Sequence, residues 1–173
     1  MNLPNKLTLL RIILVPVFVV LYLNNLFIPA FIVFIVASIT DMLDGKIARK
    51  YNLVTNFGKI MDPLADKILV YAAFCIFVAE GKVPAWMLIV ILFREFIVAG
   101  MRTVAASEGI VIAAGMTGKI KTVLQMIAVP LLIISSLHSI IALLGSIFLW
   151  ASLVMTVVSG TEYVLKNKKV FSM

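Results

Sequence analysis

The chain has 173 residues and a mass of 19.0 kDa, which fits a single domain over 1–173. Hydrophobic residues make up 63%, charged residues 13%, the net charge is +7 and the mean hydropathy is +1.16. A soluble domain has roughly 45–50% apolar and about 25% charged residues, so a soluble enzyme, a disordered chain and a secreted disulfide scaffold are excluded, and continuous apolar runs exclude a porin-like barrel.

In chain order the apolar runs predict six transmembrane helices, at about 7–24, 27–50, 61–80, 84–107, 117–136 and 139–165. The expected fold class is therefore all-α: a polytopic integral membrane protein with a short N-terminal interfacial segment. Asn24-Asn25 with Pro29 marks the first turn, YNLVTNFG the second, EGKVP the third, ASEGIVIAAGMTG the fourth and SSLHS the fifth. The first helix carries Arg11 inside its apolar stretch and has no small-residue cleavage site, so no cleavable signal peptide is expected. Cys75, the one cysteine, can form neither an intrachain disulfide nor a cysteine zinc site.

Alternating the spans places every Lys and Arg except Lys82 on the side that holds both termini. The positive-inside rule assigns that side to the cytoplasm. Its positive charge suits anionic lipid headgroups or an anionic substrate. The short loops and this bias suit a bacterial inner membrane.

Half of the eight acidic residues fall in one pattern: Asp41-Met-Leu-Asp44-Gly45-Lys-Ile-Ala48-Arg49, then eight residues, then Gly58-Lys-Ile-Met-Asp62-Pro-Leu-Ala-Asp66. Asp41 and Asp44 are three apart, Asp62 and Asp66 four apart, so each pair shares a helical face. The two helices run antiparallel, and distance from their connecting loop matches Asp41 with Asp66 and Asp44 with Asp62. An ionisable side chain at the centre of a transmembrane helix costs about 2.5–3.5 kcal/mol, and four together also repel one another. Two divalent cations would cancel the four charges. Carboxylate oxygens suit Mg²⁺ or Mn²⁺, not zinc, and His138, the only histidine, falls at the opposite membrane face. A pair of such ions is a known clamp for phosphoryl displacement. Gly45 and Gly58 would let a substrate approach the helix backbone or serve helix packing. Arg49 can hold a phosphate bidentately.

These residues resemble the signature of the CDP-alcohol phosphotransferase family, D-x2-D-G-x2-A-R-x8-G-x3-D-x3-D. Asp41, Asp44, Gly45, Ala48, Arg49, Gly58, Asp62 and Asp66 match every fixed position. The resemblance implies a transferase with two divalent cations, Mg²⁺ or Mn²⁺, acting on a CDP-linked donor. It implies that Asp41, Asp44, Asp62 and Asp66 hold the metals and that Asp66 is also the general base. It implies a CDP site lined by Gly45, Ala48, Arg49 and Gly58. Pro4-Asn5, Thr8 and Arg11 look like the family's N-terminal P-N-x-x-T-x-x-R segment, which adds Asn5 and Thr8 near the nucleotide. It also implies a homodimer in the lipid bilayer, and no nucleic-acid partner.

Acceptor choice rests on the rest of the cytoplasmic cavity. Arg94 and Arg102 are eight apart on the fourth helix, close to one face, and Glu95 would position basic groups. Arg94, near mid-membrane, must face the interior. The fifth helix opens with Gly118-Lys119-Ile-Lys121-Thr122. This charge argues for a second anion besides the CDP phosphates, hence a phosphorylated acceptor; flanking lysines that merely anchor a helix are the alternative. The segments REFIVAGMR and ASEGIVIAAGMTGKIKT are similar to the branch of that family using CDP-diacylglycerol as donor and sn-glycerol 3-phosphate as acceptor. That likeness implies phosphate-binding roles for Arg94, Arg102, Lys119, Lys121 and Thr122. An inositol-phosphate branch of the same family is the nearest rival. An intramembrane prenyltransferase and a divalent-cation carrier are more distant ones, the first needing more helices and the second a polar path on both faces.

Overall fold

The structure, a computed structural model, describes the backbone of residues 3–50, 56–110, 112–113 and 115–168; the side chains of 3–4, 41–60, 62, 63 and 66 lie outside the described residues. Among the described residues it is all-helical. The order is α1 (Leu3–Leu23), α2 (Phe27–Lys50), α3 (Asn56–Ala79), α4 (Ala85–Ser107), α5 (Met116–Ile133) and α6 (Ser139–Lys166), with a single 3-10 turn at Ser135–Leu137 before α6.

Local chemistry sets the connections. α1 ends at a turn in which Asn25 takes φ 60°, a left-handed conformation that asparagine tolerates better than most residues. Pro29 falls in the first turn of α2, where its missing N–H has no intrahelical partner to lose. α3 stops at Gly81, with φ 71°, and Pro84 caps α4 in an extended conformation. Gly109, at φ 74°, follows α4. His138 caps α6, its Nδ1 accepting the Ile140 N–H at 3.2 Å.

Three boundaries differ from expectation. α1 starts at Leu3 and no break sets an interfacial stretch apart from it. Pro4 lies in the helix's first turn, where proline is harmless. α3 begins at Asn56 rather than near 61, because its helix absorbs Gly58 instead of ending a turn there. α5 ends at Ile133 rather than near 136, its last turn tightening into the 3-10 segment.

α5 and α6 pack along one another, α1 packs on both α2 and α3, and α4 lies against α6. The larger of two hydrophobic clusters among the described residues draws on all six helices. Phe18 and Tyr22 of α1, Phe34 of α2, Phe74 and Phe77 of α3, Met87 and Ile91 of α4, and Val129 and Ile133 of α5 are all buried in it. Its rings meet edge-on or tilted, with Phe18–Phe34 centroids at 5.9 Å and Phe74–Phe77 at 6.4 Å.

The outside is apolar too: Val20, Ile28, Phe93, Phe96, Leu143 and Val154 are exposed. Three charged side chains, Arg11, Glu95 and Lys121, are nevertheless buried. Among the described residues, three helices are long and apolar enough to cross a membrane: α1 over Asn5–Leu23, α5 and α6. The described side chains of α2 and α3 include apolar stretches at Phe27–Thr40 and Lys67–Ala79, and α4 carries Arg94 and Glu95 near its middle and Arg102 in its second half.

The third and fifth connections share one end of the bundle. There Lys82 Nζ donates to the Tyr22 hydroxyl at 2.8 Å and reaches Ser136 Oγ at 3.4 Å, and it pairs with Glu80 at 3.0 Å. The Tyr22 hydroxyl donates to Glu80 Oε2 at 2.8 Å. The connection following α4 lies at the other end.

Candidate functional site

α2 carries Asp41, Asp44, Gly45, Ala48 and Arg49, and α3 carries Gly58, Asp62 and Asp66. The backbone of both is helical through these positions, so the three- and four-residue spacings keep each acidic pair on one helical face. The side chains of all eight lie outside the described residues. No cluster of three or more His, Cys, Asp or Glu converges among the residues that are described. By donor chemistry, four carboxylates without imidazole or thiolate fit hard divalent cations. His138 sits at the far end of the bundle, beside the connection that meets Lys82. On α1, Asn5, Thr8 and Arg11 are buried, and each is engaged by a partner.

A second cluster begins one residue beyond Asp66. Lys67 of α3, Arg94 of α4 and Lys121 of α5 all converge on Glu95. Its Oε1 accepts from Arg94 Nη1 at 2.8 Å and from Lys121 Nζ at 2.6 Å, and its Oε2 lies 3.2 Å from Lys67 Nζ. Burying a lone charge in an apolar bundle is costly, and pairing offsets that cost only with good geometry. Here one carboxylate serves three cations, so the group keeps an excess of positive charge. Lys121 is sealed, its side chain 5% exposed, whereas Lys67 is open at 39%.

The excess charge borders a cleft of about 1070 Å³ between α4, α5 and the end of α6. Arg94, Arg102, Lys119 and Thr122, four of the five residues expected at the acceptor phosphate, line it. Lys121, the fifth, lies behind its wall, committed to Glu95. Lys119 and Lys121 are two apart, and a helix turns such residues to different sides.

Arg102 is held from α6: its Nε donates to the Tyr163 hydroxyl at 3.3 Å and its guanidinium carbon lies 5.5 Å from that ring's centroid. Across the mouth, the Thr117 hydroxyl donates to Glu162 Oε2 at 2.6 Å, joining α5 to α6. The Thr122 hydroxyl donates to the Gly118 carbonyl at 3.1 Å.

Lys67, Glu162, Tyr163 and Lys166 also line the cleft and were not singled out from sequence. Lys67 had a signal, its place next to Asp66 on a helix of known period. Tyr163 had none, because nothing in its neighbourhood distinguishes it from an interfacial anchor.

The sequence model of the CDP-alcohol phosphatidyltransferase family matches residues 1–158. A Bacillus subtilis (strain 168) protein named CDP-diacylglycerol–glycerol-3-phosphate 3-phosphatidyltransferase is 49% identical, covering 96% of this chain and 95% of its own length. A Rickettsia typhi (strain Wilmington) protein of the same name is 42% identical over 98% of this chain and 99% of its own length. A Mycobacterium tuberculosis (strain H37Rv) protein named probable phosphatidylglycerophosphate synthase is 35% identical over 95% of this chain and 81% of its own length.

Proposed function

The chain belongs to the CDP-alcohol phosphatidyltransferase family, and from that membership we propose that it transfers the phosphatidyl group of CDP-diacylglycerol to sn-glycerol 3-phosphate, giving phosphatidylglycerophosphate and CMP. The names of the relatives at 49% and 42% identity support both substrates. The observation that carries the acceptor reading is the charge of the cleft. Among the described residues, Lys67, Arg94, Arg102, Lys119 and Lys166 line it against Glu95 and Glu162. An uncharged acceptor would leave that surplus uncompensated; a phosphomonoester answers it.

In this reading Asp41, Asp44, Asp62 and Asp66 hold two divalent cations, Mg²⁺ or Mn²⁺. Such ions, when bound, supply Lewis-acid stabilisation to a displacement at phosphorus. Asn5, Thr8, Gly45, Ala48, Arg49 and Gly58 line the CDP site. Arg94, Arg102, Lys119 and Thr122 hold the acceptor phosphate, with Lys121 setting Glu95 and through it Arg94. Asp66 takes the proton of the acceptor hydroxyl as its oxygen bonds to the β-phosphorus, and the bond from that phosphorus to CMP breaks. The neighbouring positions of Asp66 and Lys67 on α3 join proton acceptor and phosphate cleft along one helix.

All six helices would cross a bacterial cell membrane, with both termini and the site on the cytoplasmic side and the whole chain as one domain. Exposed Ile28 and Ile32 on α2, Ile68 on α3, and Phe93 and Phe96 on α4 support lipid contact for these three helices as well. The homodimer implied by the resemblance completes the proposal.

The test is CMP release from CDP-diacylglycerol by purified protein with Mg²⁺ or Mn²⁺, against glycerol 3-phosphate, inositol 1-phosphate, free inositol and serine. Turnover with glycerol 3-phosphate alone is expected. Turnover with another acceptor would refute the acceptor reading, and no metal-dependent CMP release at all would refute the reaction.

A further inference from the structure

Arg94 belongs to α4, yet the surfaces it rests on come from two other helices. A methyl group at Gly160 of α6 would stand 2.9 Å from Arg94 Cγ and 3.8 Å from its Cβ. One at Gly118 of α5 would stand 3.1 Å from Arg94 Nη2. Both glycines lie within helices, where glycine is disfavoured relative to alanine, so each needs a local reason.

Two other helical glycines show what different reasons look like. At Gly100 of α4 a methyl group would meet nothing within 4 Å. At Gly145 of α6 it would meet Leu132 Cδ2 at 3.1 Å and Leu131 Cβ at 3.3 Å, a plain packing contact between α5 and α6. Among the described glycines, Gly160 and Gly118 alone face a cleft-lining cation.

We infer that Gly160, together with Gly118, forms the seat that fixes the Arg94 guanidinium in the cleft, so that both are positioning residues for the acceptor anion. The inference rests on the acceptor reading given above. Its geometry is specific. The contact at Gly160 falls on Cγ, close to the backbone, so Arg94 can yield there only by changing its first torsions, which swings the whole guanidinium. The contact at Gly118 falls on the tip, which can give by a few tenths of an ångström. Glu95 Oε1 holds the other edge through Nη1 at 2.8 Å. Arg94 Nε is buried with no hydrogen-bond partner among the described residues. The stem therefore takes its place from the contour of α6, not from a polar group that could follow it to a new position.

The experiment is a steady-state comparison of both substrates in four glycine variants, with a double-mutant cycle. Gly160→Ala is expected to raise the KM for glycerol 3-phosphate by about tenfold or more, since a misplacement of ~1 Å can cost about 100-fold. The KM for CDP-diacylglycerol should stay within about twofold. Gly118→Ala should shift the same constant less. Gly145→Ala should lower the melting temperature in detergent without splitting the two KM values, and Gly100→Ala should change neither. In an Arg94→Ala background the Gly160→Ala substitution should add nothing to either KM or melting temperature.

Equal shifts in both KM values, the same split from Gly145→Ala, or an undiminished Gly160→Ala effect without Arg94 would overturn the seat. If Gly160→Ala does not fold, recovery of folding in the Arg94→Ala double variant supports the seat and failure to recover refutes it. If the native protein does not turn over glycerol 3-phosphate, the proposed function fails, while the melting cycle still decides the seat.

Discussion

At the scale of single residues, the site turns on Glu95. In sequence it is one acidic residue beside Arg94; in the bundle it is the common counter-ion of Lys67, Arg94 and Lys121. Breaking a buried ion pair by removing one partner typically costs 3–5 kcal/mol, because the other charge is left alone. Glu95→Gln is therefore expected to destabilise the protein by about 3 kcal/mol, read from melting in detergent. Adding Lys121→Met should restore part of that loss, because the sealed lysine is the partner left without compensation. Additive losses would show that Lys121 is not what Glu95 neutralises. Charge pattern picked out Arg94, Arg102, Lys119 and Lys121, and the family resemblance added Thr122, but neither could rank them. Separating Lys121 from Lys119 needed only the helical period. Placing Arg102 on Tyr163 needed the approach of α6 to α4, which no local spacing encodes.

At the scale of elements, α2 and α3 were legible because apolar run length and turn residues agree with the helices found, and the acidic pairs sit at helical spacings within them. The start of α3 was less legible: Gly58 reads as a turn signal, yet a single glycine weakens a helix by only about 1 kcal/mol relative to alanine and the helix runs through it. The same two helices carry the next prediction. Asp66→Asn keeps size and removes the proton acceptor, so it should abolish turnover while leaving the melting temperature and detergent gel-filtration profile unchanged. Chelation by EDTA should abolish turnover of the native protein reversibly, with Mg²⁺ or Mn²⁺ restoring it. Near-normal activity of the Asp66→Asn variant would remove Asp66 as the base, and full activity in EDTA would remove the divalent cations.

At the scale of the whole molecule, the bundle segregates charge by end. Lys82, with Glu80 and Tyr22, is sequestered at the end formed by the third and fifth connections. The cation-lined cleft opens toward the other, where α4 ends at Ser107 and α6 at Lys166. If the positive-inside rule sets the orientation, the cleft faces the cytoplasm and Ser139, at the start of α6, faces outward. Cys75 is the one cysteine in the chain. A Cys75→Ser background therefore allows single cysteines to report topology without interference. Ser139→Cys is expected to react with a membrane-impermeant maleimide in intact cells, and Ser107→Cys only after lysis. Both positions are exposed, so reactivity depends on the side of the membrane and not on burial. The reverse pattern would invert the molecule and put the phosphate cleft outside the cell, away from the cytoplasmic side on which the proposed reaction places its site. Labelling of both from the same side would mean that α5, which lies between them, does not cross.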